Sequence, residues 1–201
     1  TVVPLAGILA AGNRAMIKQS ELTPATAELM HRMFASAFDA EEVAVINGGA
    51  ETGKAFAALP FDHLVYTGGA GVAREIMRAA AANLVPLTLD LGGKSPVIVS
   101  YSAELRVAAR QTLFGKLFNA GQICLAPDYL FIERQQLEPF VDALRLACRE
   151  MLPPARAHVD YVSVVSARHK ARLTAMVDEA RAAGAGIVEL GPIVEPAGDT
   201  R

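Results

Sequence analysis

The chain has 201 residues, of which 52% are hydrophobic and 20% charged, and a formal charge of −2. That length can bury about 70% of its unfolded surface, room for one good-sized domain or parts of two. The weak net charge gives no electrostatic reason to expect nucleic acid or an anionic membrane as partner. Two cysteines at positions 124 and 148 argue against a disulfide scaffold and for a reducing, cytoplasmic compartment.

In chain order, short apolar runs alternate with amphipathic stretches. Residues 1–11 are uncharged and mostly apolar, about half the length of a membrane span and without a basic leader, so no membrane segment is expected. Residues 4–11 read as a helix stopped at Gly12-Asn13, and residues 15–18 as a short strand. Thr23-Pro24 offers an N-cap followed by proline at the first helical position. Behind it Leu29, Met30, Met33, Phe34 and Phe38 recur at helical spacing. Strands are expected at 43–47, 63–67 and 86–91, with helices at 50–59 and 71–82 between them. Alternation at this pitch predicts βαβ units and a mainly parallel sheet.

Gly92-Gly93 breaks the pattern. Beyond it, strands are expected at 97–99 and 129–133 and helices at 104–118, 137–151 and 167–183. Apolar runs at 161–165 and 187–190 follow, the second read as a strand, and residues 192–201 read as loop. The chain stops without a terminal element, the pattern expected of an internal piece of a longer protein.

Two segments carry chemistry. Phe118-Asn119-Ala120-Gly121-Gln122-Ile123-Cys124 places a cysteine after a helix and a glycine-containing loop. A reactive thiol needs that setting, with backbone N–H groups near sulfur and open access. Taken alone, a single cysteine reads as a small buried hydrophobe. The second segment, Leu89-Asp90-Leu91-Gly92-Gly93-Lys94-Ser95-Pro96, puts a carboxylate beside two glycines that allow close backbone approach. By spacing alone it is a solvated turn. Cys148 shares a helical face with Phe140, Val141, Leu144 and Met151 and reads as core. His31, His63, His158 and His169 share no motif.

Together, with Cys124 29 residues after Ser95, these segments resemble the aldehyde dehydrogenase superfamily, whose members typically show Glu-Leu-Gly-Gly-Lys-Ser-Pro and then Gly-Gln-x-Cys. Lys18-Gln19-Ser20-Glu21-Leu22-Thr23-Pro24 and Tyr66-Thr67-Gly68-Gly69 extend the resemblance over the whole chain. Cys124-Leu125-Ala126-Pro127-Asp128-Tyr129 looks like the branch of fatty, aromatic and coniferyl aldehyde dehydrogenases.

The resemblance implies an α/β fold: a Rossmann-like parallel-sheet cofactor domain at residues 1–91, then part of a second α/β catalytic domain at 92–201. It implies oxidation of an aldehyde to a carboxylate with NAD, NADP being the alternative, and a homo-oligomeric parent protein. Cys124 matches the nucleophile, and its backbone N–H half of the oxyanion site. Asp90 stands where the family places a glutamate general base; one methylene shorter, its carboxylate retreats by roughly 1 Å, a displacement that can cost on the order of 10²-fold. Lys18 and Glu21 match residues that hold the adenosine ribose, and Gly49 and Gly53 match positions passing close to the adenine. Gly68 and Gly69 match the pyrophosphate turn at a helix N-terminus, and Leu91 joins the cofactor set. Gly69 replaces the family's usual small polar residue. The resemblance puts the family's oxyanion asparagine before Thr1 and its second ribose glutamate beyond Arg201. The alternative reading is a non-catalytic module that binds nucleotide or packs against a partner.

Overall fold

Parallel strand pairs, each joined through a helix, organise the chain in a computed structural model that describes residues 1–153 and 161–191. Two compact units divide at Leu91/Gly92, Thr1–Leu91 and Gly92–Arg201. Among the described residues no helix is long and apolar enough to cross a membrane.

The first unit opens with helix α1 (Val2–Ala10), which buries Leu5. Strand β1 (Ala15–Lys18) then crosses through α2 (Pro24–Ala37) to β2 (Val43–Ile46), which pairs with it in parallel from Ala15↔Val43 to Lys18↔Ile46. Leu5, Phe34, Val43 and Val45 form the core, with Met30 and Phe38 packed against it. Met30, Phe34 and Phe38 step by four along one face of α2; Leu29 and Met33 sit one residue, about 100°, round the helix and are exposed, which corrects the five-residue face expected from spacing. Thr23 occupies the N-cap without a side-chain bond. Its carbonyl accepts the Ala27 N–H at 2.9 Å, and Pro24, lacking an N–H, leaves one donor fewer to satisfy.

Helix α3 (Ala50–Ala57) leads to β3 (Leu64–Gly68), which crosses through α4 (Ala70–Ala81) to β4 (Leu87–Leu91). Leu64, Ala80 and Val85 form the core of this part. Ala80 is fully buried, its small side chain letting the helix approach the strands closely.

The second unit begins with β5 (Ser95–Ile98), α5 (Leu105–Leu117) and β6 (Pro127–Phe131). Both strands start two residues earlier than the apolar runs suggest. Pairing passes from Ser95↔Pro127 to Pro96↔Tyr129, skipping Asp128, so an irregular register accommodates both prolines at the strand starts. Glu104 caps α5 instead of beginning it: its carboxylate accepts the Arg106 and Val107 N–H groups at 3.0 and 2.9 Å. Helix α6 (Leu137–Met151) packs on α5, burying Phe140 against Val99 and Ala109, and Cys148 beside Leu113 and Ala147. Helix α7 (Ala167–Ala182) follows.

The run at 187–190 is not a strand. Ile187 and Val188 are exposed and pair with no strand among the described residues, while Leu190 packs into the Cys148 cluster. An apolar run becomes a strand only where a partner offers its backbone groups. Residues 161–165 are irregular too. The loop expected at 192–201 lies outside the described residues.

Candidate functional site

In the first unit, β1 ends in Lys18, whose Nζ lies 2.7 Å from Glu21 Oε2. The Lys18 side chain is 13% exposed and that of Glu21 47%, so the cation is spent on its partner while the carboxylate faces solvent. The Lys18 bond, helped by Glu21's own backbone N–H, holds the Glu21 carboxyl below the usual carboxylate range. Gly53 packs beside Lys18: a Cβ there would stand 3.8 Å from Lys18 Cε, in ordinary contact. Gly49 caps α3 and has no neighbour in reach of a Cβ. Next to the pair an open depression of about 410 Å³ is lined by Gln19, Ser20, Glu21, Glu28, Asn47 and Gly48 among others.

The β3–β4 pair presents the rest of the first unit's candidates at its carboxyl end, where parallel sheets bind ligands. Gly68 is the register partner of Leu91, and Thr67 of Asp90. Asp90 is exposed. Gly69 is the N-cap of α4, whose first N–H groups lack helical partners and favour an anion. Tyr66, two residues before Gly68 on the same strand face, lays its ring over that glycine, so that a Cβ on Gly68 would collide with the phenol oxygen. Burial pushes the Tyr66 hydroxyl up, the Gly69 N–H pulls it down, and the Glu21 charge raises it again.

In the second unit, α5 runs into a 3-10 turn, Phe118–Gly121, and Cys124 follows, exposed. Asn119, Ala120 and Gly121 all adopt positive φ, at 50°, 54° and 72°. Glycine tolerates this, whereas alanine loses about 1–2 kcal/mol, so the surroundings must hold it. Asn119 Nδ2 donates to the Gln122 carbonyl at 3.1 Å, and the Gln122 N–H donates back to the Asn119 carbonyl at 3.0 Å. Gly93 lies against the Cys124 loop: a Cβ there would stand 2.7 Å from the Cys124 carbonyl oxygen. Beside it Lys94 Nζ meets Asp128 Oδ2 at 2.6 Å, the residue skipped in the β5–β6 register, and holds that carboxyl low. Cys148 is buried, and burial pushes its thiol up.

The structure thus gathers Lys18, Glu21 and Gly53 at one place and Gly68, Leu91 and Asp90 at another. Gly49 accepts the Gly53 N–H at 3.0 Å and leaves open space where a side chain would stand. Cys124 belongs to the second unit, three residues of chain after Gly121. Sequence reasoning gave no role to Tyr66 or Gln122, and for Gly93 it expected close backbone approach without naming Cys124 as the neighbour. The i, i+2 spacing of Tyr66 and Gly68 was a usable signal, because alternate strand residues share a face. The Gly93 and Gln122 contacts are tertiary and had none. Among the described residues no cluster of His, Cys, Asp or Glu is placed to hold a metal.

The aldehyde dehydrogenase family model matches residues 1–200. The chain belongs to the aldehyde dehydrogenase family. It is 54% identical over 195 residues to a probable coniferyl aldehyde dehydrogenase of Caulobacter vibrioides, covering 97% of this chain and 40% of that protein. It is 50% identical to the coniferyl aldehyde dehydrogenase of a Pseudomonas species, covering 98% of this chain and 41% of that protein. Among solved aldehyde dehydrogenases, a substrate-bound Staphylococcus aureus AldH superposes with a TM-score of 0.82 at 41% identity, over 89% of this chain and 39% of that one. A betaine aldehyde dehydrogenase from the same organism, in complex with NAD+, superposes with 0.80 at 29% identity, over 92% and 38%. The chain therefore spans about two-fifths of the length of these aldehyde dehydrogenases, and the α/β fold with parallel strand pairs is theirs.

Proposed function

We propose that this chain carries the thiol nucleophile and the adenosine-side cofactor contacts of an NAD-dependent enzyme that oxidises an aldehyde to a carboxylate. The coniferyl relatives favour an aromatic aldehyde as substrate. The carrying observation is the exposed Cys124 at the end of a left-handed loop, with Gly93 of the Gly-Gly-Lys segment seated against its carbonyl.

The residues present fit a dinucleotide. The α4 N-terminus at Gly69 supplies N–H donors for a pyrophosphate. Glu21 and Glu28 line the depression beside the Lys18–Glu21 pair, and Glu21 has bound the Lys18 cation. A carboxylate there accepts from ribose hydroxyls and repels a 2′-phosphate, which favours NAD over NADP. When bound, the nicotinamide ring supplies the hydride acceptor.

Cys124 Sγ, as thiolate, adds to the aldehyde carbon, and the carbonyl electron pair moves to oxygen, where the Cys124 N–H donates. Loss of hydride from that carbon leaves a thioester on Cys124. The Asp90 carboxylate takes a proton from water as the water adds to the thioester carbon. The C–S bond then breaks, the carboxylic acid departs, and the thiolate is restored.

The test uses the protein encoded by the complete reading frame, with coniferaldehyde and NAD+. Cys124→Ser should abolish NADH formation. Asp90→Asn should give one burst of NADH per site followed by almost no steady state, and Asp90→Glu should raise turnover. Equal steady-state rates for Asp, Asn and Glu at position 90 would remove Asp90 as the base. Full activity of Cys124→Ser would remove Cys124 as the nucleophile, and absence of turnover in the wild-type protein would leave the non-catalytic reading.

A further inference from the structure

We infer that Gln122 is a positioning residue, an amide clamp that fastens the Cys124 loop to the irregular segment at Ser163–Val165; the inference rests on Cys124 being the nucleophile only for its catalytic consequence.

The Gln122 side chain makes three bonds with backbone groups. Its Nε2 donates to the Asn119 carbonyl at 3.1 Å and to the Ser163 carbonyl at 3.2 Å. Its Oε1 accepts the Val165 N–H at 2.8 Å. A primary amide offers two donors and an acceptor. Here it pairs with Ser163 and Val165 in the manner of a neighbouring strand, reaching across 41 and 43 residues of chain. That explains why residues 161–165 keep an apolar, strand-like sequence without joining a sheet: the side chain of Gln122 is what the segment pairs with. It also supports the left-handed backbone at Asn119 and Ala120, since the same amide joins the Gln122 backbone N–H in holding the Asn119 carbonyl. Cys124 lies two residues beyond the clamp, and Gly93 closes on its carbonyl. The loop is thereby fixed at both ends of the Gln122–Cys124 tripeptide.

Glutamate is the discriminating replacement. Gln122→Glu keeps the acceptor for Val165 and loses both donations, setting an anion against the Ser163 and Asn119 carbonyls. Gln122→Ala removes all three bonds, and Gln122→Asn is one methylene too short to restore them. The measurement is amide hydrogen exchange on the 201-residue chain, resolved by peptide, with iodoacetamide labelling of Cys124 followed on the same samples.

In Gln122→Ala, protection of the Val165 amide and of residues 119–124 should fall about tenfold for each bond lost, while peptides of the α5–α6 pair keep theirs. The labelling rate of Cys124 should change by threefold or more with that of Cys148 unmoved. Gln122→Glu should open residues 119–124 and leave Val165 protected. Unchanged Val165 protection in Gln122→Ala overturns the clamp; if that variant unfolds, uniform loss of protection at Val165 and 119–124 in Gln122→Glu does so. Wild-type Cys124 labelling no faster than Cys148 defeats the nucleophile reading instead, whatever the exchange shows.

Discussion

At the scale of single residues, the two cysteines have opposite environments and should behave oppositely. Cys124 is exposed on its loop; Cys148 sits among Leu113, Ala147 and Met151. Burial disfavours the thiolate, so the Cys148 thiol ionises at higher pH than a free thiol. Limiting iodoacetamide near pH 7 should therefore label Cys124 first, with Cys148 labelled only as the pH is raised; peptide mapping that finds Cys148 labelled first reverses the assignment. Gly93 permits a second comparison. A Cβ at Gly93 would press on a backbone atom of Cys124, which cannot swing aside as a side-chain tip does. Gly93→Ala should shift the loop and lower the turnover of the full-length protein by roughly 10²-fold, the cost of about 1 Å at a reacting group. Gly92→Ala, with no atom within 4 Å of its Cβ, is the control and should stay near wild-type kcat.

At the scale of elements, packing of α5 against α6 outweighs polar contacts in holding the second unit. Phe140 is buried against Val99 and Ala109, and truncating such a ring costs about 3–5 kcal/mol. The Glu104 cap on α5 contributes less, about 0.5–2 kcal/mol. The exposed Arg110–Glu150 contact between the helices, at 3.5 Å, belongs with surface pairs worth roughly 0–1 kcal/mol. Urea unfolding followed by the second unit's helical signal should rank Phe140→Ala above Glu104→Ala, and Glu104→Ala above Arg110→Ala. A cap variant as damaging as the core variant would mean that helix initiation, not burial, limits this unit.

For the whole molecule, binding and turnover should separate. The β5–β6 pair packs Val97, Val99, Leu130 and Ile132 into its core, while Ile98, Tyr129 and Phe131 on the other face are exposed. Strands apolar on both faces are those of sheets covered on both sides, and the aldehyde dehydrogenases that this chain matches are about two and a half times as long. The adenosine-side contacts proposed above, the Lys18–Glu21 pair and the Gly69 turn, lie in the first unit. Calorimetry on the 201-residue chain should detect weak NAD+ binding that Glu21→Lys removes, while NADH production from an aldehyde panel stays far below about 1 s⁻¹. Turnover at ordinary enzyme rates would show that these residues suffice.

The sequence by itself determined the order of strands and helices, the parallel pairing and the membership of the family, because periodicity, glycine and proline punctuation and short motifs are local properties. It named Lys18 and Glu21, which do meet, and it placed Cys148 in the core from helical spacing alone. What it missed depends on partners remote in the chain. The run at 187–190 has strand composition but pairs with no strand among the described residues, and Leu29 and Met33 have helical spacing but lie off the buried stripe. Gly93 under Cys124 and Gln122 bonded to Ser163 and Val165 are likewise contacts that only folding creates. Local physics selects each element. Tertiary structure alone decided which backbone atoms close on the Cys124 loop, because hydrogen bonds and steric contact act within a few ångströms of space, whatever the separation along the chain.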